Sequence, residues 1–443
     1  MNLTFGTDGI RGIANKQISA NLAFFIGKAL AIKLLKKQLM QPKIAIGKDT
    51  RVSSDMLVCA FSAGVMSMGI DVLNIGLVTT PALSFLTKYT HSGFGVMITA
   101  SHNPADYNGI KIFDNNGIKL SMEAERELSL IFENASNYLP GDNVGRMVCN
   151  TECVHTYLDF LCNKLGNTLP NNLSLALDCA NGAGSKIIPY VFKTLVNRCE
   201  CFNTDFDKGV INGECGSVNT ERFATIVRNK FDFGFAFDGD ADRLVVVLRD
   251  GQILSGEVVL FVLAVYLKQQ NKLQNNRVVT TVLTNIGVEN SLNALGIKTI
   301  RCDVGDRNVL EAMQKYDCNL GGEESGHIIF GDAHPTSDGA LTGLMLLEAL
   351  DSVDFDIQEY LKHLRVYDTM KLNIKVSERQ KSKFKTNVLN NVISDLANEL
   401  GTQGRLIVRP SGTESVIRVL VEGQDKKLME NISKRLEQII LRL

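Results

Sequence analysis

Alternating apolar strands and helices, joined by polar loops, most constrain what this chain can fold into. Strand-like runs at residues 43–47 and 94–98 each lead into a polar loop, and helical periodicity, as at residues 21–37 and 340–350, separates such runs. Strands that alternate with helices in this way pack as α/β layers. From about residue 367 the order changes to neighbouring strands and a final amphipathic helix, which predicts a smaller α+β unit.

Length and breaks in the periodicity predict four domains. A chain of 443 residues is long enough for about three or four domains. Turn-forming residues at 137–150 interrupt the periodicity and indicate a linker. We predict three similar mixed α/β domains at residues 1–148, 149–250 and 251–366, followed by the α+β domain at residues 367–443.

Composition and charge favour a small ligand over a nucleic acid or a membrane. The net charge is −1 and 45% of the residues are apolar, so no basic excess indicates a polyanionic partner. The longest apolar run, residues 258–267, is too short for a bilayer and predicts a buried helix. Ten cysteines without a disulfide framework, and an N-terminus without signal-peptide features, predict a cytoplasmic protein.

Three acidic residues at alternate positions form the strongest candidate metal site. Asp238, Asp240 and Asp242 lie in the motif DGDADR, directly after an apolar run. Carboxylates this close repel one another unless a cation lies among them, and oxygen ligands select a hard ion such as Mg²⁺ or Ca²⁺. A calcium-binding EF-hand loop would require Gly and Glu where this chain has Arg243 and Arg249. Mg²⁺ is therefore favoured, and an exposed acidic turn is the alternative.

The motif TASHNP offers a hydroxyl group at the end of a strand. Ser101 is a candidate nucleophile that could carry a phosphoester, although Ser, Asn and Pro also favour a purely structural turn. His102 is interpreted as a hydrogen-bonding support. Lys111 follows on the next predicted strand, where its ammonium group could neutralise a phosphate or serve as acid or base. Three further cations beside turn residues are candidate phosphate ligands, with ordinary surface charges as the alternative interpretation: Arg11, Lys48 and Arg51.

Two more polar loops are candidate binding sites. The motif GGEESGH places Glu323, Ser325 and His327 between glycines, which let a backbone approach a ligand closely. Carboxylate and hydroxyl groups suit the hydroxyls of a sugar, and a polar turn is the alternative. The motif RPSGTE, between two predicted strands, gathers groups that can converge on one anion, namely Arg409, Ser411, Gly412, Thr413 and, on the following strand, Arg418.

Two common nucleotide-binding motifs are missing from the sequence. It contains no G-x-x-x-x-G-K-[ST] loop, which argues against a P-loop NTPase. The G-x-G patterns that begin at Gly93 and Gly182 lack the third glycine of a dinucleotide-binding fingerprint. Together, the four polar loops offer a hydroxyl nucleophile, carboxylates for a cation, a polar loop for sugar hydroxyls and an anion site, which predicts transfer of a phosphoryl group on a sugar.

Over its whole length the chain resembles the α-D-phosphohexomutase superfamily. The motifs TASHNP, DGDADR, GGEESGH and RPSGTE occur in the order and at the spacing typical of that superfamily. The start FGTDGIRG and the segment DVGDRNV at residues 303–309 favour the branch that acts on glucosamine phosphates. The phosphoglucomutase/phosphomannomutase branch is the alternative. The resemblance implies a heart-shaped molecule of four domains, of which three share a mixed α/β core and the fourth is smaller.

The resemblance also implies a role for each candidate residue. The phosphoserine would be Ser101, and Mg²⁺ would be held by Ser101, Asp238, Asp240 and Asp242. The groups around the transferring phosphoryl would be Arg11, Lys111, Arg243 and His327, with Lys111 or His327 as acid/base. Sugar hydroxyls would contact Glu323 and Ser325. The non-reacting phosphate would be held by Arg409, Ser411, Gly412, Thr413 and Arg418.

The implied activity is that of an isomerase. It would convert glucosamine 6-phosphate reversibly to glucosamine 1-phosphate through a phosphoserine enzyme and a bisphosphate, and so supply UDP-N-acetylglucosamine synthesis. Glucosamine 1,6-bisphosphate, another hexose bisphosphate or autophosphorylation would activate the enzyme, which would be a monomer or homodimer without nucleic-acid or membrane partners. A phosphatase that hydrolyses its phosphoenzyme and a non-catalytic sugar-phosphate sensor are the alternatives from other classes. The joint presence of Ser101, Lys111 and the aspartates argues against a sensor.

Overall fold

The computed structural model describes eight stretches of the chain: residues 5–6, 8–37, 42–139, 142–164, 173–352, 356–384, 389–411 and 415–442. It divides into two units, the first formed by Met1–Leu283 and Lys298–Asp356, the second by Thr284–Ile297 and Ile357–Leu443. Within the described stretches, the helices lack the combination of length and hydropathy that crossing a membrane requires.

The first unit begins with a six-stranded sheet in the order β1-β5-β4-β2-β3-β6. Its strands are β1 (Ile10–Ile13), β2 (Lys43–Lys48), β3 (Asp71–Leu77), β4 (Phe94–Ile98), β5 (Tyr107–Asp114) and β6 (Met147–Cys149). Its helices are α1 (Ala20–Leu35), α2 (Ser54–Met66), α3 (Thr80–Tyr89) and α4 (Met122–Glu133). Strands β2, β3, β4 and β6 pair in parallel, whereas β5 runs antiparallel to both β4 and β1.

One local feature of this sheet differs from the sequence expectation, and a second concerns the start of α2. Residues 147–149, inside the predicted linker, form the edge strand β6, which is too short to show a periodicity of its own. Helix α2 begins at Ser54, but the side chain of Ser53 does not cap it. The Ser53 hydroxyl instead accepts a hydrogen bond from Asn108 at 2.8 Å. Asn108 also donates to the hydroxyl of Ser54 at 3.1 Å, so both serines tie the loop after β2 to β5.

The second sheet has the order β11-β10-β9-β7-β8. Its strands are β7 (Ser174–Asp178), β8 (Arg198–Phe202), β9 (Phe233–Phe237), β10 (Leu244–Leu248) and β11 (Ile253–Leu254), with helices α5 (Val154–Cys162), α6 (Gly184–Lys193) and α7 (Thr220–Val227). Strands β9 and β10 form an antiparallel hairpin in which Phe237 pairs with Leu244. The six residues between them are the motif DGDADR, so the hairpin presents all three aspartates in one loop.

The third sheet has the order β13-β12-β14-β15. Its strands are β12 (Arg277–Thr281), β13 (Lys298–Cys302), β14 (Leu320–Gly322) and β15 (Ile328–Phe330). The helices of this part of the chain are α8 (Gly256–Gln269), α9 (Ile286–Ala294), α10 (Asp306–Tyr316) and α11 (Gly339–Asp351), of which α9 belongs to the second unit. Helix α8 is buried from Gly256 to Leu267, which confirms the predicted buried helix. The β14–β15 hairpin holds the GGEESGH loop.

The second unit contains a three-stranded antiparallel sheet in the order β16-β18-β17. Its strands are β16 (Asp368–Lys375), β17 (Gly404–Pro410) and β18 (Val416–Gly423), and its remaining helices are α12 (Ile357–His363), α13 (Glu378–Phe384), α14 (Asn390–Leu400) and α15 (Lys426–Leu441). The side chain of Asp425 caps α15 by accepting from the N–H of Leu428 at 3.1 Å. Met429, Ile432 and Leu436 are fully buried, which confirms the amphipathic final helix of the predicted α+β unit.

Candidate active site

Ser101 lies in the loop that joins β4 to β5. It is fully buried, and its backbone has a φ of +52°, a left-handed conformation that costs a non-glycine residue about 1–2 kcal/mol. The N–H of Ser101 donates to the hydroxyl oxygen of Thr99 at 2.9 Å. Its own hydroxyl donates to Oδ2 of Asp238 at 2.7 Å. The structure thus places the predicted nucleophile against the predicted metal loop.

Arg51 holds the Ser101 loop in this conformation. Its Nε–H donates to Asp49 at 2.9 Å, and its side chain is fully buried. Its remaining nitrogens donate to four backbone carbonyl oxygens, those of Ser101, Asn103, Pro104 and Tyr107. The proposal from the sequence that Arg51 binds phosphate is therefore wrong, because its donors already serve the loop. Lys48, the other candidate beside Arg51, forms an ion pair with Asp55.

The three aspartates of DGDADR converge in a buried cluster. One ligand oxygen from each of Asp238, Asp240 and Asp242 lies within 4.8 Å of the others, and all three residues are fully buried. Gly239 lets this loop approach the serine loop, because a Cβ at that position would lie only 2.7 Å from the carbonyl oxygen of Ser101. The loop therefore requires glycine at this position for steric reasons.

The cluster has the properties of a site for a hard cation. Oδ1 of Asp240 is buried and has no hydrogen-bond partner among the described residues, which is costly for a carboxylate oxygen. Burial, together with the charges of Asp242 and Asp240, raises the pKa of Asp238 to about 7. A cation among the carboxylates would relieve both effects, and three carboxylates are the oxygen ligands that Mg²⁺ prefers. The residues present therefore fit a magnesium ion.

Lys111 lies beside the same carboxylates. On β5, as the sequence predicts, its ammonium group donates to Asp240 at 2.7 Å and to Asp242 at 2.8 Å, and its side chain is 1% exposed. Burial lowers the pKa of Lys111, but Asp240 and Asp242 outweigh this effect and raise the pKa. The ammonium group is therefore charged at neutral pH and partly balances the acidic cluster.

The β14–β15 loop brings His327 against another oxygen of the cluster. Its Nε2 atom lies 3.2 Å from Asp242 and 3.1 Å from Nε of Arg243, while its Nδ1 atom lies 2.8 Å from Glu323. Burial and the charge of Arg243 lower the pKa of His327, but Asp242 and Glu323 raise it more, to about 9. Ser325 lies 3.4 Å from Nδ1 of the same imidazole.

His102, next to the nucleophile, is held uncharged at neutral pH. Burial lowers the pKa of its imidazole to about 3, with contributions from the nearby charges of Arg243 and Arg11. Its Nδ1 atom lies 3.4 Å from the hydroxyl oxygen of Ser101. A neutral ring at this distance agrees with a supporting role and not with that of a general acid.

Arg11 and several residues that the sequence analysis did not single out complete the site. Arg11 forms an ion pair with Asp8 and donates to Asn103 at 3.1 Å. The additional residues are Asp8, Thr80, Lys119, Asn212 and Asp306. Thr80 donates to Asp240 and Asn212 donates to the carbonyl oxygen of Ser101, whereas Asp8 pairs with Lys111, and Lys119 pairs with Asp8 and Asp306. Asp8 and Asp306 fall within FGTDGIRG and DVGDRNV, which was the one signal available for them. Lys119 carries no comparable signal.

The second unit holds the remaining predicted binding residues. Arg409 on β17 lies directly opposite Arg418 on β18, so both cationic side chains occupy one face of the sheet. Ser411 is buried, and its N–H donates to the carbonyl oxygen of Val416 at 2.9 Å. Gly412 and Thr413 lie outside the described residues. Two arginines opposite each other repel, and an anion between them would remove that repulsion.

Comparison with known proteins gives four family matches along the chain. The models are described as phosphoglucomutase/phosphomannomutase, with alpha/beta/alpha domain I matching residues 2–139, domain II 155–251, domain III 255–367 and the C-terminal domain 372–439. Together they cover nearly the whole sequence and follow the order that the sequence analysis predicts.

Curated relatives match over their full length. A phosphoglucosamine mutase of Finegoldia magna is 39% identical over 446 residues, covering 99% of this chain and 98% of the relative. A phosphoglucosamine mutase of Caldanaerobacter subterraneus is 40% identical over 447 residues, covering 100% and 99%. The crystal structure of a phosphoglucomutase/phosphomannomutase family protein from Burkholderia thailandensis superposes with a TM-score of 0.82 at 23% identity, over 98% of this chain and 96% of that one. That last likeness concerns the fold alone.

Proposed function

The chain belongs to the phosphoglucomutase/phosphomannomutase family of the α-D-phosphohexomutase superfamily, and on this premise we propose that it interconverts glucosamine 6-phosphate and glucosamine 1-phosphate. The full-length relatives at 39% and 40% identity are named phosphoglucosamine mutases. One observation carries the proposal: the buried hydroxyl of Ser101 lies 2.7 Å from Asp238 in the carboxylate cluster. A nucleophile beside a magnesium site is the arrangement that phosphoryl transfer requires.

The proposed reaction begins with phosphorylated Ser101. Its phosphoryl group passes to O1 of glucosamine 6-phosphate, so that the bond from phosphorus to Oγ of Ser101 breaks as the bond to O1 forms. The proton of the O1 hydroxyl passes by way of the acid/base group, Lys111 or His327, to Oγ of Ser101, the leaving oxygen. The resulting bisphosphate turns around and returns its 6-phosphoryl group to Ser101, which leaves glucosamine 1-phosphate.

Carboxylates that would hold Mg²⁺, together with four cationic side chains, would balance the negative charge of the transferring phosphoryl group. Asp238, Asp240 and Asp242, with a phosphate oxygen on Ser101, would hold Mg²⁺, which when bound offsets negative charge on the phosphoryl group. The cations proposed to surround that group are Arg11, Lys111, Arg243 and His327. Because these side chains are fixed by ion pairs in a buried site, they need little reorganisation during the transfer.

The sugar and its second phosphate are assigned to two further loops. Glu323 and Ser325 would contact sugar hydroxyls. Arg409, Ser411, Gly412, Thr413 and Arg418 would hold the phosphate that does not react. We further propose the domain boundaries predicted above, a cytoplasmic monomer or homodimer, and activation by a hexose bisphosphate such as glucosamine 1,6-bisphosphate or by autophosphorylation.

Turnover of glucosamine 6-phosphate by the purified chain, followed with an intact-mass measurement, tests the proposed function. We expect glucosamine 1-phosphate to form in the presence of Mg²⁺, and the protein to carry the mass of one added phosphoryl group. The value of kcat/KM should exceed that for glucose 6-phosphate by at least about tenfold, or about 1.4 kcal/mol. Faster turnover of glucose or mannose phosphates would assign the other branch, and net release of inorganic phosphate would indicate a phosphatase.

Replacing Arg409 by alanine is expected to lower kcat/KM at least about tenfold, because the cation would otherwise form a charge-assisted contact with the non-reacting phosphate. KM should rise and kcat should fall, since binding energy from a remote phosphate helps to orient the reacting group. Arg435→Ala is a matched control, because Arg435 lies in the same unit and pairs with the exposed Glu399. An Arg409→Ala enzyme with unchanged kcat/KM would show that another group holds this phosphate.

A further inference from the structure

A closed ring of polar contacts links the three sheets of the first unit and includes residues of the proposed reaction centre. It runs from Lys111 to Asp242 at 2.8 Å, from Asp242 to His327 at 3.2 Å and from His327 to Glu323 at 2.8 Å. The ring continues from Glu323 to the N–H of Gly305 at 2.7 Å, and along the backbone to Asp306. Each of these contacts is made by a buried side chain.

Lys119 closes this ring. Its ammonium group lies 2.7 Å from the carboxylate of Asp306 and also forms an ion pair with Asp8. Asp8 in turn lies 3.3 Å from the ammonium group of Lys111. The side chain of Lys119 is only 9% exposed, and the reaction proposed above assigns it no role.

The chain positions of these partners show which parts of the fold the ring connects. Asp8, Lys111 and Lys119 belong to the part of the chain that forms the first sheet. Asp242 lies in the β9–β10 loop of the second sheet. In the third sheet, Asp306 follows β13 and His327 precedes β15. Lys119 joins the first sheet to the segment carrying Gly305 and Asp306 through its ion pairs with Asp8 and Asp306. Outside the ring, Arg307 of the same segment also pairs with Glu125 on α4 at 2.9 Å.

We infer that Lys119 is a positioning residue, which sets the GGEESGH loop relative to Lys111 and the carboxylate cluster through Asp306 and Gly305. The inference rests on the proposed function, because it assigns a purpose to the alignment of Glu323 and His327. Without the ammonium group, the Asp306 carboxylate would keep, within the described part of the chain, the N–H of Arg307 at 2.9 Å and Ser337 at 3.5 Å, but no charged partner of opposite sign in a direct ion pair. The N–H of Gly305 would then shift, and with it Glu323 and the imidazole that Glu323 holds.

Lys119→Met, which keeps the length of the side chain and removes its charge, is the main test. We expect kcat for glucosamine 6-phosphate to fall by about 100-fold, the size of effect that a displacement of about 1 Å can cause, and KM to rise as well, because Glu323 of the displaced loop is proposed to contact the sugar. The mass increment of phosphoserine should persist, since Ser101 lies outside the ring. Lys119→Arg should recover most of kcat, because it restores a cation between Asp8 and Asp306.

A double-variant cycle tests whether Lys119 acts through Asp306. Asp306→Asn keeps the shape of the side chain and should lower kcat to a similar extent. The double variant Lys119→Met/Asp306→Asn should be no slower than the slower single variant, because the two changes break one link. Losses that multiply would instead show independent effects and overturn the inference.

Lys33→Met is the matched control. Lys33 is also 9% exposed and ion-paired, with Glu127, but it lies on α1 and outside the ring. It should keep kcat within about twofold of wild type, since surface or remote changes of this kind leave a site undisturbed. An equal loss of kcat in Lys33→Met and Lys119→Met would overturn the inference, as would an unchanged kcat in Lys119→Met or, if that variant does not fold, in Asp306→Asn.

Amide hydrogen exchange separates failure of this inference from failure of the proposed function. In Lys119→Met, exchange should rise at residues 303–309 and 323–327 and stay at the wild-type level in Lys33→Met. This result is expected whether or not the wild-type chain isomerises glucosamine 6-phosphate. Unchanged exchange at both segments would overturn the positioning role, whereas a wild-type chain without turnover would overturn the proposed function alone.

Discussion

Replacing Ser101 by alanine is expected to reduce kcat/KM for glucosamine 6-phosphate to below about one thousandth of the wild-type value, a loss of about 4 kcal/mol or more. The hydroxyl of Ser101 is the one nucleophile that the structure places against Asp238 within the described residues. Without it no phosphoenzyme can form, and transfer to the sugar has no donor. The mass increment of one phosphoryl group should disappear at the same time.

The fold of Ser101→Ala should survive. Serine and alanine have similar strain at a φ of +52°, and the four backbone contacts of Arg51 still hold the loop. Ser62→Ala is the matched control, because Ser62 is also fully buried and its hydroxyl has no hydrogen-bond partner among the described residues. It should retain full activity. Isomerisation near the wild-type rate in Ser101→Ala would mean that Ser101 does not carry the phosphoryl group.

Asp240→Asn and the removal of divalent metal are expected to stop the reaction in the same way. Oδ1 of Asp240 is the buried oxygen without a partner, and an amide in its place weakens a hard-cation site by one negative charge. We expect a loss of Mg²⁺ binding together with a fall in kcat of about 100-fold or more, or about 2.7 kcal/mol. Chelation of the wild-type protein should abolish turnover, and added Mg²⁺ should restore it.

Asp178→Asn distinguishes loss of the cation from loss of a buried carboxylate. Asp178 is 1% exposed and lies at the end of β7 in the same sheet, where it accepts hydrogen bonds from the N–H groups of Ala180 and Gly216. This variant should lose stability and keep both Mg²⁺ binding and its dependence on Mg²⁺. Undiminished turnover by Asp240→Asn in the presence of a chelator would exclude a catalytic cation at the cluster.

Local patterns in the sequence were sufficient for the α/β class and for the chemical centre of the site. Apolar residues recur in the sequence with the periods typical of strands and helices, and residues 94–98 form β4 as predicted. Asp238, Asp240 and Asp242 could be grouped because they share one hairpin loop, whose six residues cannot separate them far. The two arginines proposed to bind an anion could be paired for a similar reason, since Arg409 and Arg418 flank one short loop between adjacent strands.

The partners of individual charged side chains were decided only by the tertiary structure. Arg51 is an arginine beside turn residues, as a phosphate ligand often is. Its guanidinium group nevertheless donates to backbone carbonyl oxygens of a loop about fifty residues further along the chain. Lys119 meets Asp8 across 111 residues and Asp306 across 187, and no local pattern records such a pairing. Periodicity reports which face of an element is buried. Which charges meet in the interior depends instead on the order of the strands and on the packing of three sheets, and many lysines and aspartates would satisfy the same local pattern equally well.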